Sequence, residues 1–410
     1  MATTTSNFGW PIPQSTDLVK DGATAIASLG SGVDTSMAEL KGGTTGQILS
    51  KTSGTDMDFT WITPNPGDIT GVTAGTGITG GGTSGDVTVS FDVANYGGGQ
   101  YAAGKNKIIN GDFGIWQRGT SFTSPSTTYT ADRFVANGQT SDVVSQQTFT
   151  PGTAPVSGYE GTYYARWATS ATAGTRYFFQ KVEDVRTLAG QTASFSFWAR
   201  VNSGTATLSA YFYQQFGSGG SADVSSTSQN FTATTSWQRF TYTTTMPSVS
   251  GKTIGAGSLV QAAVSFSATS NNIEFWGWQL EAGSTATPFQ TATGTKQGEL
   301  AACQRYYEEQ GGVNTQFFGN GYAYSSTAAA YVITFQPKRT TPSVSVSAAS
   351  DFVAGDGAGG GVTLSSASLA YPCVNTVAFY ATVASGLTTG RGSAIYAANT
   401  NARLKISAEL

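Results

Sequence analysis

Between residues 14 and 41 the apolar positions recur in sevens at Val19, Ile26, Val33 and Leu40, with Ala23, Leu29 or Gly30, and Met37 near the complementary positions. This spacing predicts a helix with an a/d seam, and β-branched residues at position a suit a short multi-stranded coiled coil. Gly22, Gly30 and Gly32 work against it, each costing about 1 kcal/mol of helix propensity relative to Ala. The helix is therefore expected to need partner copies or a neighbouring domain. The pattern then shortens to period two. Residues 47–51 and 58–62 predict a hairpin around Ser53 and Gly54, and Pro64, Asn65, Pro66 and Gly67 break all regular structure.

Residues 67–99 set Ile69, Val72 and Ile78 among glycines, then alternate Val87, Val89, Phe91 and Val93 with polar residues. So little apolar surface cannot close a monomeric core. The alternation favours strands that wrap with copies of themselves about a shared axis over a flexible linker. From 105 to 292 the chain reads as all-β. Strands are predicted at 107–113, 163–168, 176–181, 193–201, 207–214, 238–244, 259–267 and 272–280, with turn signals at Ser203-Gly204, 217–220 and Ser250-Gly251 that suit an antiparallel sandwich. Phe195 and Phe197 are expected to face one way and Ser194, Ser196 and Trp198 the other, with Phe275 opposite Trp276 and Trp278. Helical spacing returns at 295–310 with Leu300, Cys303, Tyr306 and Tyr307, before strands at 322–334, 343–348, 376–382 and 402–408.

The fold class expected is mainly β: a helical or coiled-coil anchor with a hairpin (1–66), a glycine-rich intertwined β shaft (67–104), a sandwich (105–292), a helical linker (293–312) and a small C-terminal β domain (313–410). Composition narrows the chemistry. The 410 residues include no histidine, which excludes imidazole-based acid/base catalysis, Ser/His/Asp and Cys/His centres and His-ligated metals. Charged residues are 11% and the net charge is −3, so no field draws nucleic acid or an anionic membrane. There is no signal-peptide pattern and no run of 18 apolar residues, so neither signal-directed secretion nor a membrane span is expected.

An enzyme built from this sequence would need carboxylates, with Asp112, Asp132, Glu160, Glu183, Asp184, Glu274 and Glu281 as candidates, but none lies in a recognisable motif. The run GTGITGGG lacks the Lys-Ser/Thr of a phosphate loop. Asn110, Asp112 and Glu281 are hard-oxygen candidates for a structural calcium, against Asx-turn bonding around Gly111. Trp198, Arg200, Tyr211, Tyr213, Trp276 and Trp278 are the carbohydrate-binding candidates, because exposed rings stack on sugars, although most rings of a sandwich serve its core. Val19, Ile26, Val33, Leu40, Val87, Val89 and Phe91 are the candidate oligomerisation seam. Tyr322, Tyr324 and Tyr331, with the loop at 351–363, form a candidate tip surface or, equally, a trimer-stabilising cap.

The stretches TTSNFGWPIPQSTDLVKDGATAIASLGSGVDTSM and GGTTGQILSKTSGTDMDFTWIT resemble the virion-proximal module of tailed-bacteriophage fibre and minor tail proteins. GDITGVTAGTGITGGGTSGDVTVSFD looks like the shaft that follows it. NKIINGDFGIWQRGTSF, ADRF, SFSFWARV, SWQRFTYTTTMP and FWGWQLEAGSTATPFQ are similar to a jelly-roll domain of phage fibres that is related in fold to carbohydrate-binding modules, and ELAACQRYYE and ARLKISAEL fit the usual ends of such proteins. The resemblance implies a homotrimer with its N-terminus on other virion proteins and its distal domains on a host glycan or outer-membrane receptor. It also implies release by lysis and a virion location, and Asn110 and Asp112 match a start where a structural calcium is frequent. A structural adaptor or decoration protein is the alternative. A capsule depolymerase is less favoured, because no rung repeat of about 20 residues is present.

Overall fold

The computed structural model describes residues 3–64, 71–75, 77–91, 104–156, 158–357 and 361–410, and divides into two units, Met1–Phe91 and Asp92–Leu410. Ile69, Val93 and most of the expected break after Pro64 lie outside the described residues.

In the first unit the helix runs Val19–Met37 and ends in a 3-10 turn, Ala38–Leu40. Gly32 has a packing reason, since a Cβ there would lie 3.2 Å from Cδ1 of Trp10, whose Nε1 donates to Ser36 Oγ at 3.0 Å. The hairpin forms as expected, with Ile48–Lys51 antiparallel to Phe59–Ile62 and Leu49 opposite Trp61. The glycine-rich stretch is a meander of Val72–Thr73, Ile78–Gly82 and Val89–Phe91. Its strands pair within one chain, Ile78 opposite Phe91 and Gly80 opposite Val89. Gly80 and Gly81 permit this, because both have positive φ and a Cβ on either would strike the carbonyl oxygen of Thr88 or Val72. None of the described residues of this unit is buried. Val19, Ile26, Val89 and Phe91 of the expected seam are exposed, Val19 at 98%, while Val33, Leu40 and Val87 are half-buried.

The second unit opens with an antiparallel jelly-roll sandwich. One sheet is ordered Val224–Ser225, Ala206–Gln215, Leu259–Phe266, Arg176–Glu183, Phe134–Asn137, Thr128–Tyr129, with Gln229–Ala233 also on Ala206–Gln215. The other is ordered Gln238–Thr245, Thr192–Val201, Asn272–Ala282, Tyr163–Ala168, Val143–Thr148, Ser121–Thr123. Phe195 and Phe197 face the core as expected. Residues 107–113, expected as a strand, form turns instead, because Asn110 and Phe113 take positive φ. The segment is held against Asn272–Ala282 by Asn106, whose Nδ2 donates to Trp278 O at 3.0 Å and whose Oδ1 accepts from Leu280 N at 3.0 Å.

The expectation that Trp276 and Trp278 share a face is corrected by a β-bulge. The pairing of Thr192–Val201 with Asn272–Ala282 shifts between Ser196 and Trp198, and Gly277 takes φ +65°. The extra residue turns Trp278 inward with Phe275 and leaves Trp276 on the opposite face. Trp278 then packs among Phe113, Phe134, Phe178, Phe195, Phe197 and Phe275.

Buried charge is concentrated at Asp142. Its carboxylate accepts from Arg176 Nε at 2.7 Å and Nη2 at 3.0 Å, Trp167 Nε1 at 3.0 Å, Gln139 N at 2.9 Å and Ser170 N at 2.8 Å, with both partners of the ion pair fully buried. Burial pushes its pKa up, but Arg176 and the other donors outweigh this and hold it at about 2.

The second helix is Lys296–Gln304, capped by the Thr295 side chain. It stops short of the expected 310, because Tyr307–Gly311 leaves it as a strand on Arg403–Ser407, which also pairs with Ser343–Val346. The rest is a closed barrel, ordered Phe317–Ser325, Ala328–Thr334, Thr376–Val383, Val362–Ala370, Phe352–Gly355, Gly392–Ala397. The single strand expected at 322–334 is the hairpin of the first two. Tyr322 and Tyr324 are exposed, but Tyr331 is core, its hydroxyl 2.8 Å from Ser393 Oγ. Residues 358–360 of the expected tip loop lie outside the described residues.

The barrel module is fixed to the sandwich by its last residues. Glu409 pairs with Arg118 at 2.9 Å and with Arg133, whose guanidinium lies 3.4 Å from the centre of the Tyr306 ring. Tyr129 donates to Leu410 O at 2.8 Å.

Arg176→Met should cost about 3–5 kcal/mol in denaturant unfolding, because it strands a buried carboxylate. Asp142 is depressed in the folded state, so its contribution is complete above about pH 4 and is lost as pH falls toward about 2, which thermal melts across that window should show. Gly277→Ala should lower stability by roughly 1–3 kcal/mol, since its φ is left-handed and a Cβ would lie 2.8 Å from Trp198 Cδ1.

Candidate functional site

The outer face of the sheet containing Leu259–Phe266 carries the site. Strand register places side chains across it in rows: Ser209, Ser265, Tyr177 and Asn137 in one, Tyr211, Ala263, Phe179 and Val135 in the next, and Tyr213, Gln261 and Lys181 in the third. Val135, Phe179 and Ala263 are buried, with Tyr211 packed against them. The small Ala263 between two rings leaves a trough of about 280 Å³ lined by Asn137, Tyr177, Phe179, Tyr211, Tyr213, Ser225 and Gln261, none of them charged.

The polar atoms around this trough are differently committed. Tyr213 donates to Asp223 Oδ2 at 3.0 Å, and Gln261 Nε2 donates to Gln215 Oε1 at 2.9 Å. Burial first, then the neighbouring Tyr177 and Tyr213, raises the Tyr211 hydroxyl to about 12, so it remains a donor at neutral pH. The C-terminal segment meets the same sheet beside the trough, where Lys181 donates to Leu410 O and Glu183 accepts from Tyr306 at 2.9 Å. A concave, uncharged face with rings and hydroxyls suits a neutral polyhydroxylated ligand lying across the strands.

Of the sequence candidates, Tyr211 and Tyr213 stand at this trough. Tyr177, Phe179, Asn137 and Gln261 join them through cross-strand register, which single-strand alternation does not reveal. Trp276 and Trp278 are fully buried, Trp278 in the main core and Trp276 in a second cluster with Phe149, Tyr164 and Phe289. Trp198 is half-buried against that cluster, and Ser194 and Ser196 beside it are fully buried, so this face is no open platform. Arg200 pairs with Glu274 at 2.5 Å and lies 4.9 Å from the Trp237 ring centre, while Arg166 holds the same Glu274 at 2.6 Å.

The three calcium candidates are not brought together. Asn110 Nδ2 donates to Ile115 O and Asp132 O, and its Oδ1 accepts from Ile115 N at 2.9 Å, which is turn bonding. Glu281 accepts from Gln279, from Thr287 N and from Thr287 Oγ1, and pairs with Lys105 at 3.3 Å. Asp112 accepts from Tyr159 Oη at 3.1 Å and Gly114 N at 3.3 Å, with burial raising its pKa despite both donors. Among the described residues no cluster of three acidic or cysteine side chains is placed to share an ion.

No family model matches the chain, and no curated protein matches it. Among solved structures it is similar to the enzymatically active domain of bacteriophage CBA120 tailspike protein 4, at 13% identity and TM-score 0.30, over 44% of this chain and 22% of that one. It is also similar to the CBM22-1 xylan-binding domain of Paenibacillus barcinonensis Xyn10C, at 12% identity and TM-score 0.28, over 45% and 98% of the two chains. A third is TmCBM61 in complex with β-1,4-galactotriose, at 14% identity and TM-score 0.27, over 43% and 99%.

Denaturant unfolding separates the two classes of ring. Trp276→Ala and Trp278→Ala should each cost roughly 3–5 kcal/mol, whereas Tyr177→Ala, at the rim of the trough, should stay within about 1 kcal/mol of the parent.

Proposed function

We propose that this chain is a non-enzymatic receptor-binding fibre of a tailed bacteriophage, a homotrimer joined to other virion proteins through its N-terminal segment and holding a bacterial surface glycan on its sandwich. The observation that carries the glycan reading is the uncharged trough between Tyr177, Tyr211 and Tyr213. The apolar face of a sugar ring stacks on Tyr211 or Tyr177, and its hydroxyls are met by the Asn137 and Gln261 amides and the tyrosine hydroxyls. With no ionic group in the trough, affinity per site is modest, and three linked copies raise avidity by orders of magnitude where they engage together.

The trimer is supported by the first unit, where Val19, Ile26, Val89 and Phe91 are exposed and nothing described is buried. A chain segment of this kind gains its core from other copies. The adaptor reading draws on a different surface. The barrel strands carry no charged residue, and Phe317, Tyr322, Tyr324 and Val332 are exposed on them, which suits contact with another protein.

The full chain should bind the host bacterium and compete with phage adsorption, and Tyr177→Ala combined with Tyr211→Ala should weaken this at least tenfold while the melting temperature stays close to the parent's. Undiminished binding by the double variant would move the receptor site off the sandwich, and an absence of binding by the parent would favour the adaptor. Mass in solution should be three times that of one chain. A monomer would contradict the account of the N-terminal unit.

A further inference from the structure

A second, deeper cavity lies at another edge of the sandwich. It encloses about 660 Å³ between the turn at Asp112–Ile115, the segment around Tyr159 and Tyr163, and the stretch from Pro288 to Lys296 that enters the second helix. That volume falls within the roughly 300–1,000 Å³ typical of small-molecule sites.

Its wall is rigid for stated reasons. Glu299 closes one side and is fully engaged, accepting from Asn110 N at 2.6 Å, Thr293 N at 2.6 Å and Thr293 Oγ1 at 2.9 Å, so it shapes the cavity rather than serving a ligand. Phe289 and Tyr159 stack edge to face, with ring centres 5.2 Å apart, and supply an apolar wall. The groups left to meet a ligand are mainly acceptors. Asp112 accepts from Tyr159 and Gly114, Glu160 accepts from Gly152 N through one oxygen, and Gln290 Oε1 is buried without a hydrogen-bond partner among the described residues. That orphaned oxygen is a cost to the fold unless a donor reaches it. Among the described lining residues the one cation, Lys296, is exposed at the rim.

An aromatic wall beside unfilled acceptors calls for a ligand with an apolar face and many donors, and the carboxylates repel an anionic one. We infer that this cavity is a second glycan site, which takes the end of a non-acidic sugar chain edge-on between Phe289 and Asp112 and rejects uronic and other acidic sugars. The ligand class rests on the glycan reading above, but the site is distinct: the trough receives a chain lying across the sheet, and the cavity receives a terminus.

The test titrates the full-length protein with lactose, maltose, cellobiose, N,N′-diacetylchitobiose and the acidic disaccharide of hyaluronate, followed by ligand-observed NMR. At least one neutral disaccharide should bind and the acidic one should not. Thr162→Trp fills the cavity from an exposed position whose side chain makes no hydrogen bond among the described residues, so the variant should fold and lose the neutral sugar held outside the trough. Asp112→Asn should weaken binding about tenfold. The same titrations in the Tyr177→Ala, Tyr211→Ala double variant, which removes the trough, should still show the neutral sugar, which separates failure of this proposal from failure of the trough. Binding that survives when Thr162→Trp is added to that double variant, binding of the acidic disaccharide equal to the neutral one, or no binding of any neutral disaccharide at millimolar concentration would overturn the inference.

Discussion

The sandwich depends on how its two sheets close over Trp278. That ring packs against phenylalanines from both sheets and from the turn at Phe113, and it reaches them only because Gly277 inserts one extra residue into its strand. A strand without the bulge would place Trp278 on the outer face beside Trp276 and leave the core without the ring that both sheets pack on. One left-handed glycine therefore decides which aromatic residues are structural. On the opposite sheet, Tyr177, Tyr211 and Tyr213 keep surface to offer a ligand.

The scarcity of charge has a structural counterpart. Many of the charged groups are spent inside: Asp142 with Arg176, Arg133 with Glu409, Lys338 with Glu308, and Glu299 against the backbone of Asn110 and Thr293. Buried ion pairs contribute little net stability but penalise any arrangement that separates them, so they fix the seating of loops and of the barrel module on the sandwich. What they leave on the sheet face is hydroxyl, amide and ring. The low charge of the chain thus has its counterpart in a neutral trough.

Much of this was legible in the sequence. The helix at Val19–Met37, the hairpin across Leu49 and Trp61 and the inward Phe195 and Phe197 follow from periodicity, because their signals lie within one or two neighbouring segments. The misplacements have a common cause. Strict alternation puts Trp276 and Trp278 on one face, and a bulge breaks alternation without a distinctive signature beyond a glycine. Residues 107–113 alternate well enough for a strand, but Asn106 and Asn110 bind backbone with their side chains and turn the chain. The trough could not be read because it arises from register between strands far apart in sequence, with Asn137 opposite Tyr177 and Gln261 opposite Tyr213. The helical reading past Gln304 failed because Tyr307–Gly311 finds a strand partner almost one hundred residues later, in Arg403–Ser407. That pairing joins the two terminal motifs, ELAACQRYYE and ARLKISAEL, into one sheet.

The central claim is that the tyrosine trough is where a glycan is held. A structure of the full chain determined with an oligosaccharide from the surface of its host bacterium tests this most directly. The account predicts sugar rings stacked on Tyr177 or Tyr211, with hydroxyls on Asn137 and Gln261. Sugar density confined to the barrel, with the trough empty, would contradict it.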